Sequence, residues 1–129
     1  MTQYKDKIMK KYKGRCLCGN IQFSIIAEPK DPHLCYCHMC QYWSGAPVVA
    51  WASFPLSAIN YEKGEPSLYR SSERTQRGFC NKCGSTLFAL DDNSKDICMT
   101  ISVLEDKDEI IPVFESFKES APKWLSCSL

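Results

Sequence analysis

No stretch of this 129-residue chain approaches the roughly 18 consecutive apolar residues that a membrane-spanning helix needs, since Pro47, Ser53 and Pro55 interrupt the best candidate around residues 48–56. An excess of either charge is also missing. Sixteen Lys and Arg stand against 15 Asp and Glu, a net of +1, which removes the electrostatic footprint of a dedicated nucleic-acid binder. The first residues are polar and lysine-rich, so no hydrophobic leader is expected, and the sequence shows no internal repeat, low-complexity tract or linker. No window sustains the i, i+3, i+4, i+7 apolar spacing over three turns, which excludes long amphipathic helices. The length lies below the roughly 150 residues at which a second domain becomes the default, so one domain is expected.

What the chain has in abundance is cysteine, nine in all. A secreted disulfide framework ordinarily brings a leader and an even cysteine count, whereas a reducing cytosol keeps clustered thiols for metal binding or catalysis. A cytoplasmic, metal-binding protein with no nucleic-acid or membrane partner is therefore expected. Charge is polarised along the chain: Lys5, Lys7, Lys10, Lys11, Lys13 and Arg15 face only Asp6 in the first fifteen residues, while residues 104–119 carry six acids. The basic run reads as a solvated arm over 1–13, part-disordered, followed by a single zinc domain over 14–125 and a tail over 126–129. Between Asp31 and Glu62 lie thirty residues without a single Asp, Glu, Lys or Arg, yet with Tyr36, Tyr42, Trp43, Trp51, Phe54 and Tyr61. That segment must be buried or line a pocket.

Secondary structure reads as six or seven short strands: 21–25, 47–53 as a central strand, 67–70, 75–79, 86–90, 97–103 and 110–117. Pro29 and Pro32 close the first of these, residues 62–66 form a turn around Gly64, and helix is confined to a turn near 38–44 and another near 55–59. A mainly antiparallel β domain follows, sandwich or barrel.

Seven cysteines fall into three groups: Cys16-x-Cys18, Cys35-x-Cys37-x-x-Cys40 and Cys80-x-x-Cys83. Thiolates one or two residues apart reach a single tetrahedral ion from one tight turn. The doublets at 16/18 and 80/83 each close on a glycine, Gly19 and Gly84, which supplies the positive φ such a turn demands. Paired, they make a closed, structural four-cysteine zinc site that staples two distant segments. The middle group has three thiolates and a fourth position open, the stoichiometry of a catalytic zinc suited to thiol or aldehyde chemistry. His38 or Cys98 would instead close that site as a structural one, and dithiol exchange is a further alternative that the lack of a βαβ pattern disfavours. His33 reads as a surface-loop histidine, Cys98 as a small core hydrophobe, and Cys127 as part of the tail.

Three motifs in order, Gly14-Arg-Cys16-Leu-Cys18-Gly19, then Cys35-Tyr-Cys37-His-Met-Cys40 with Ser44-Gly45-Ala46-Pro47, then Arg77-Gly-Phe79-Cys80-Asn-Lys-Cys83-Gly84-Ser85, are similar to the glutathione-dependent formaldehyde-activating enzyme family, which includes centromere protein V. The likeness continues through Phe54, Gly64, Tyr69, Ser71 and Ser72 to Trp124, over residues 14–125. It implies the Mss4-like fold: short antiparallel strands, little helix, stapled by zinc. It also implies two zinc ions per chain, a structural one on Cys16, Cys18, Cys80 and Cys83 and a catalytic one on Cys35, Cys37 and Cys40. The implied reaction joins glutathione and formaldehyde into S-hydroxymethylglutathione, a carbon–sulfur lyase chemistry in the cleavage direction, with a small thiol and an aldehyde as partners. Three positions depart from the pattern: Tyr36 and Glu115 stand where the family often has histidine, and Gln41 where a basic residue is frequent. The charge-free segment offers no cation for a dicarboxylate tripeptide. Arg70, Arg74 and Arg77 are the nearest candidates in sequence, and ordinary surface charge is the role expected of them. The competing class is a non-catalytic zinc module that serves as a protein-interaction platform.

Overall fold

The computed structural model describes residues 10–125; Cys127, the tail and the first nine residues of the basic arm lie outside the described residues. β1 (Lys11–Arg15) alternates cleanly, with Tyr12 and Gly14 buried and Lys11, Lys13 and Arg15 exposed, so a run of cations is compatible with a half-buried strand. Its first three residues fall within the stretch expected to be an arm. β1 pairs antiparallel with β2 (Gln22–Ile26), and β2 with β5 (Ile59–Lys63), giving a three-stranded sheet.

The second sheet holds seven strands. β3 (Lys30–Cys35) leads into α1 (His38–Ser44), which is followed by β4 (Val49–Pro55) and, after β5, by β6 (Ser67–Arg70), β7 (Thr75–Phe79), β8 (Thr86–Asp91), β9 (Asp96–Thr100) and β10 (Phe114–Ser116). Their order across the sheet is β10-β3-β4-β9-β8-β7-β6. Every pairing is antiparallel except that of β10 with β3. The mainly β, antiparallel expectation holds, with α1 as the one α-helix among the described residues and the expected turn near 55–59 present as a 3-10 turn at Leu56–Ala58.

Three expectations change. β3 forms despite Pro32 because its ladder with β4 is irregular between Lys30 and His33, and pairing with β10 begins only at His33; proline is admitted where no ladder donor is needed. His33 is accordingly a strand residue, its ring stacked on Phe114 at 4.7 Å, not a loop histidine. The strand expected over 97–103 stops at Thr100, and Ile101–Val103 turns as a 3-10 helix that carries Leu104 across to the first sheet, where it bridges Gly14. The strand expected over 110–117 shrinks to Phe114–Ser116 because Pro112 interrupts it and the Val113 N–H is spent on the Pro32 carbonyl.

The principal core lies between the sheets, built on Tyr12, Phe23, Ile25, Phe54, Leu87 and Met99. A smaller second core gathers Cys35, Cys40, Val49 and Trp51, with Trp43, Ala89 and Cys98 packed against it. No helix among the described residues is long and apolar enough to cross a membrane.

Candidate metal centres

The first cysteine cluster is built by two matching turns. After β1, Gly19 N–H donates to the Cys16 carbonyl at 3.1 Å; after β7, Gly84 N–H donates to the Cys80 carbonyl at 2.8 Å. Both glycines are left-handed, φ +78° and +82°, as the paired motifs require. The turns bring the sulfurs of Cys16, Cys18, Cys80 and Cys83 within 4.8 Å of one another. Cys16 and Cys18 are 3.7 Å apart, and Cys18 and Cys80 3.9 Å. Sulfurs about 2.3 Å from one tetrahedral ion sit about 3.8 Å from each other, so the arrangement fits zinc. It is nearly twice the sulfur separation of a disulfide, about 2.05 Å. The Leu17 N–H donates to Ser85 Oγ at 2.8 Å and locks the two turns together.

The second cluster sits at the junction of β3 and α1. Cys35 ends the strand and Cys37 is the helix N-cap, its sulfur accepting from the Cys40 N–H at 3.3 Å. Cys40 lies in the first turn, its sulfur 3.6 Å from that of Cys35. All three sulfurs lie within 4.8 Å of one another, and the Cys35–Cys40 separation is close to a tetrahedral edge. In the absence of metal, the Cys40 thiol donates to Cys35, which brings the Cys35 thiol down from 9.0 to about 5 against the opposing pull of burial; Cys40, holding the proton beside that thiolate, is pushed up. In the first cluster the Ser85 hydroxyl, followed by backbone donors, lowers Cys83 to about 5. One sulfur in each cluster, Cys35 and Cys83, is thus favoured as the anion before any ion arrives, while Cys40 in one and Cys18 in the other are shifted up.

Neither alternative fourth ligand joins the second cluster. His38 is exposed on α1 and lines a groove of about 480 Å³ with Gln41, Tyr42, Pro47 and Trp124. Cys98 is half-buried in β9, 3.3 Å from Ser53 Oγ, and packs as the small core residue expected.

Arg77 is the residue the sequence undervalues. It is not surface charge: only 6% exposed, its guanidinium carbon lies 4.8 Å from the Trp43 ring centre and 5.7 Å from that of Trp51, and those two rings stack at 5.8 Å. Both terminal nitrogens point at the Cys40 sulfur, at 3.9 and 4.0 Å. Arg70, by contrast, is an exposed partner of Asp92, and Arg74 is exposed. The available signal was the thirty-residue aromatic segment without charge, which leaves any cation near these thiols to come from elsewhere in the chain. The three positions that depart from the family pattern converge as well. The Tyr36 hydroxyl donates to Glu115 Oε2 at 2.7 Å, and Gln41 Nε2 donates to the Tyr36 and Ser120 carbonyls at 2.7 and 3.0 Å. Together they tie the C-terminal segment to the start of α1.

A Rhodobacter sphaeroides protein of known crystal structure superposes with a TM-score of 0.61 over 81% of this chain and 99% of that one, at 23% identity, a likeness of fold. A Schizosaccharomyces pombe protein named as an uncharacterized lyase is 32% identical over 87 residues, 67% of this chain and 63% of that protein; the chain thus spans less than two thirds of that relative's length. Residues 11–120 match the model of the glutathione-dependent formaldehyde-activating enzyme family. The paired turns, the cysteine triplet and this match make the chain a member of that family.

Proposed function

We propose that the protein is a zinc-dependent enzyme of carbon–sulfur lyase type, acting on the adduct of a small thiol and an aldehyde, with glutathione and formaldehyde as the family's pair. The observation that carries this reading is the three-sulfur cluster, whose spacing suits a tetrahedral ion and which gathers no fourth protein ligand among the described residues. In this reading Cys35, Cys37 and Cys40 hold the reactive zinc, and Cys16, Cys18, Cys80 and Cys83 a structural one. Zinc bound to the triplet would supply Lewis acidity toward a thiol or a carbonyl oxygen. The chain's own contribution is a dry wall: Trp51 and Cys40 are buried, and Trp43 stacks on Trp51 beside them, so water is kept from the protein side of the cluster.

The test is metal analysis followed by exchange spectroscopy. Two zinc ions per chain are expected, together with faster NMR exchange between formaldehyde and glutathione or another small thiol, abolished in Cys37→Ser. One ion per chain, or no acceleration with any thiol, would overturn the enzyme reading. A non-catalytic interaction module is the second reading, supported by the exposed Ile111, Val113, Phe117 and Trp124 toward the C-terminal end. It expects Cys37→Ser to lose folding as severely as Cys16→Ser.

A further inference from the structure

A guanidinium removed from water ordinarily meets a carboxylate. Among the described residues Arg77 is the one charged side chain that is buried, and none of the four ion pairs among them includes it. Its Nε donates to Ser71 Oγ at 3.3 Å, and its two terminal nitrogens donate to Cys40 Sγ. Ser71 and the two indoles are neutral. The sulfur of Cys40 is therefore the only one of these partners able to carry negative charge. Arg77 also lines a groove of about 360 Å³ with Met39, Tyr42, Trp43, Tyr69 and Ser71.

We propose that Arg77 is the counter-ion of the Cys35–Cys37–Cys40 centre, a positioning residue that lets the open position take an anionic sulfur ligand. The proposal rests on the reading that these three thiols hold a divalent ion. Three thiolates on such an ion leave a net charge of about −1, which Arg77 brings to zero. A thiol that releases its proton to solvent and binds as thiolate then returns the centre to −1. Without Arg77 the same ligand would leave −2 in a site walled by Trp43 and Trp51, where low polarity magnifies the repulsion. A neutral ligand gains no such advantage. Arg77 thus selects for thiolate over neutral donors, and its planar fork satisfies one sulfur with two N–H groups, as the compact ammonium of lysine would not.

The test uses cobalt(II) as the metal probe, read by its sulfur-to-metal charge-transfer absorption. Wild type, Arg77→Lys and Arg77→Met are loaded, their ions counted, and each is titrated with 2-mercaptoethanol as the anionic ligand and with imidazole as the neutral one. Arg77→Met is expected to weaken 2-mercaptoethanol binding by roughly 10- to 100-fold while leaving imidazole binding unchanged; Arg77→Lys keeps most of the thiol affinity. Loss of both ligands together, or of neither, would overturn the proposal and leave the metal reading standing. One cobalt per wild-type chain would overturn that reading and the proposal with it. Should Arg77→Met fail to fold, Arg77→Gln takes its place, and the ratio of thiol to imidazole affinity decides in the same way.

Discussion

At the scale of single residues, the chemistry of the second cluster is a proton shared between two sulfurs. Cys35 is lowered to about 5 because Cys40 donates to it, and Cys40 is raised in return. In a chain stripped of metal at this cluster alone, the folded pair keeps one proton across a range in which an unfolded pair loses both near the ordinary value of 9.0. Below pH 9 the unfolded chain binds more protons, so stability rises with pH; above it the folded chain binds more, so stability falls. The pair's contribution is therefore greatest near pH 9 and fades as pH drops toward 5. Urea midpoints measured from pH 6 to 10 after mild chelation should trace that maximum, and a contribution that grows steadily toward acid would contradict the shared proton. Tyr36 offers a simpler case. Its side chain is 1% exposed and its hydroxyl donates to a carboxylate, so Tyr36→Phe should cost about 1–3 kcal/mol of stability, read by urea unfolding. The seven thiols could be grouped from spacing alone because a shared ion imposes short-range order on sequence. Arg77 could not be placed that way, since its partners Cys40, Trp43 and Trp51 lie 37, 34 and 26 positions away and only the sheet brings them together.

At the scale of elements, strand existence followed apolar alternation wherever alternation was present. β6 and β7 and the helix at His38–Ser44 stand where spacing put them. The failures share a cause: β1 alternates cations with Tyr12 and Gly14, β3 contains Pro32, and β5 is exposed along most of its length, so each is a strand by virtue of its neighbours. The reverse error, the long strand expected over 110–117, mistakes an apolar run for an element when Ile111 and Val113 are exposed. The pairing of β7 with β8 yields a prediction. Gly78 faces Phe88, and a Cβ at that position would come within 2.2 Å of two ring carbons. Phe88 is itself buried and has nowhere to move. Gly78→Ala should therefore destabilise by about 1–3 kcal/mol through overpacking, seen as a lower thermal midpoint. Restoration by Phe88→Leu in the double variant would identify the ring as the cause.

At the scale of the whole molecule, the two cysteine clusters have different structural reach. Cys16 and Cys18 follow a strand of the three-stranded sheet, while Cys80 and Cys83 follow a strand of the seven-stranded one, so an ion held by all four would join the sheets across more than sixty positions of chain. Cys35, Cys37 and Cys40 lie within six consecutive residues at one strand–helix junction, and an ion there would restrain only the step from the end of β3 into the first turn of α1. Because binding to a structural site supplies folding free energy outright, Cys16→Ser should unfold the chain or lower its melting temperature severely, with loss of both ions. Cys37→Ser should keep the far-ultraviolet circular dichroism and one ion per chain. The Leu17–Ser85 hydrogen bond and the Gly14–Leu104 bridge also join these segments. Ser85 lies 3.2 Å from the Cys83 sulfur as well, so Ser85→Ala, compared at two ions per chain, measures what the Leu17–Ser85 bond supplies apart from metal. A small effect of Ser85→Ala beside a large one of Cys16→Ser would assign the join to the thiols, whereas comparable losses would assign it to the polypeptide itself and leave the four-cysteine cluster without its structural role.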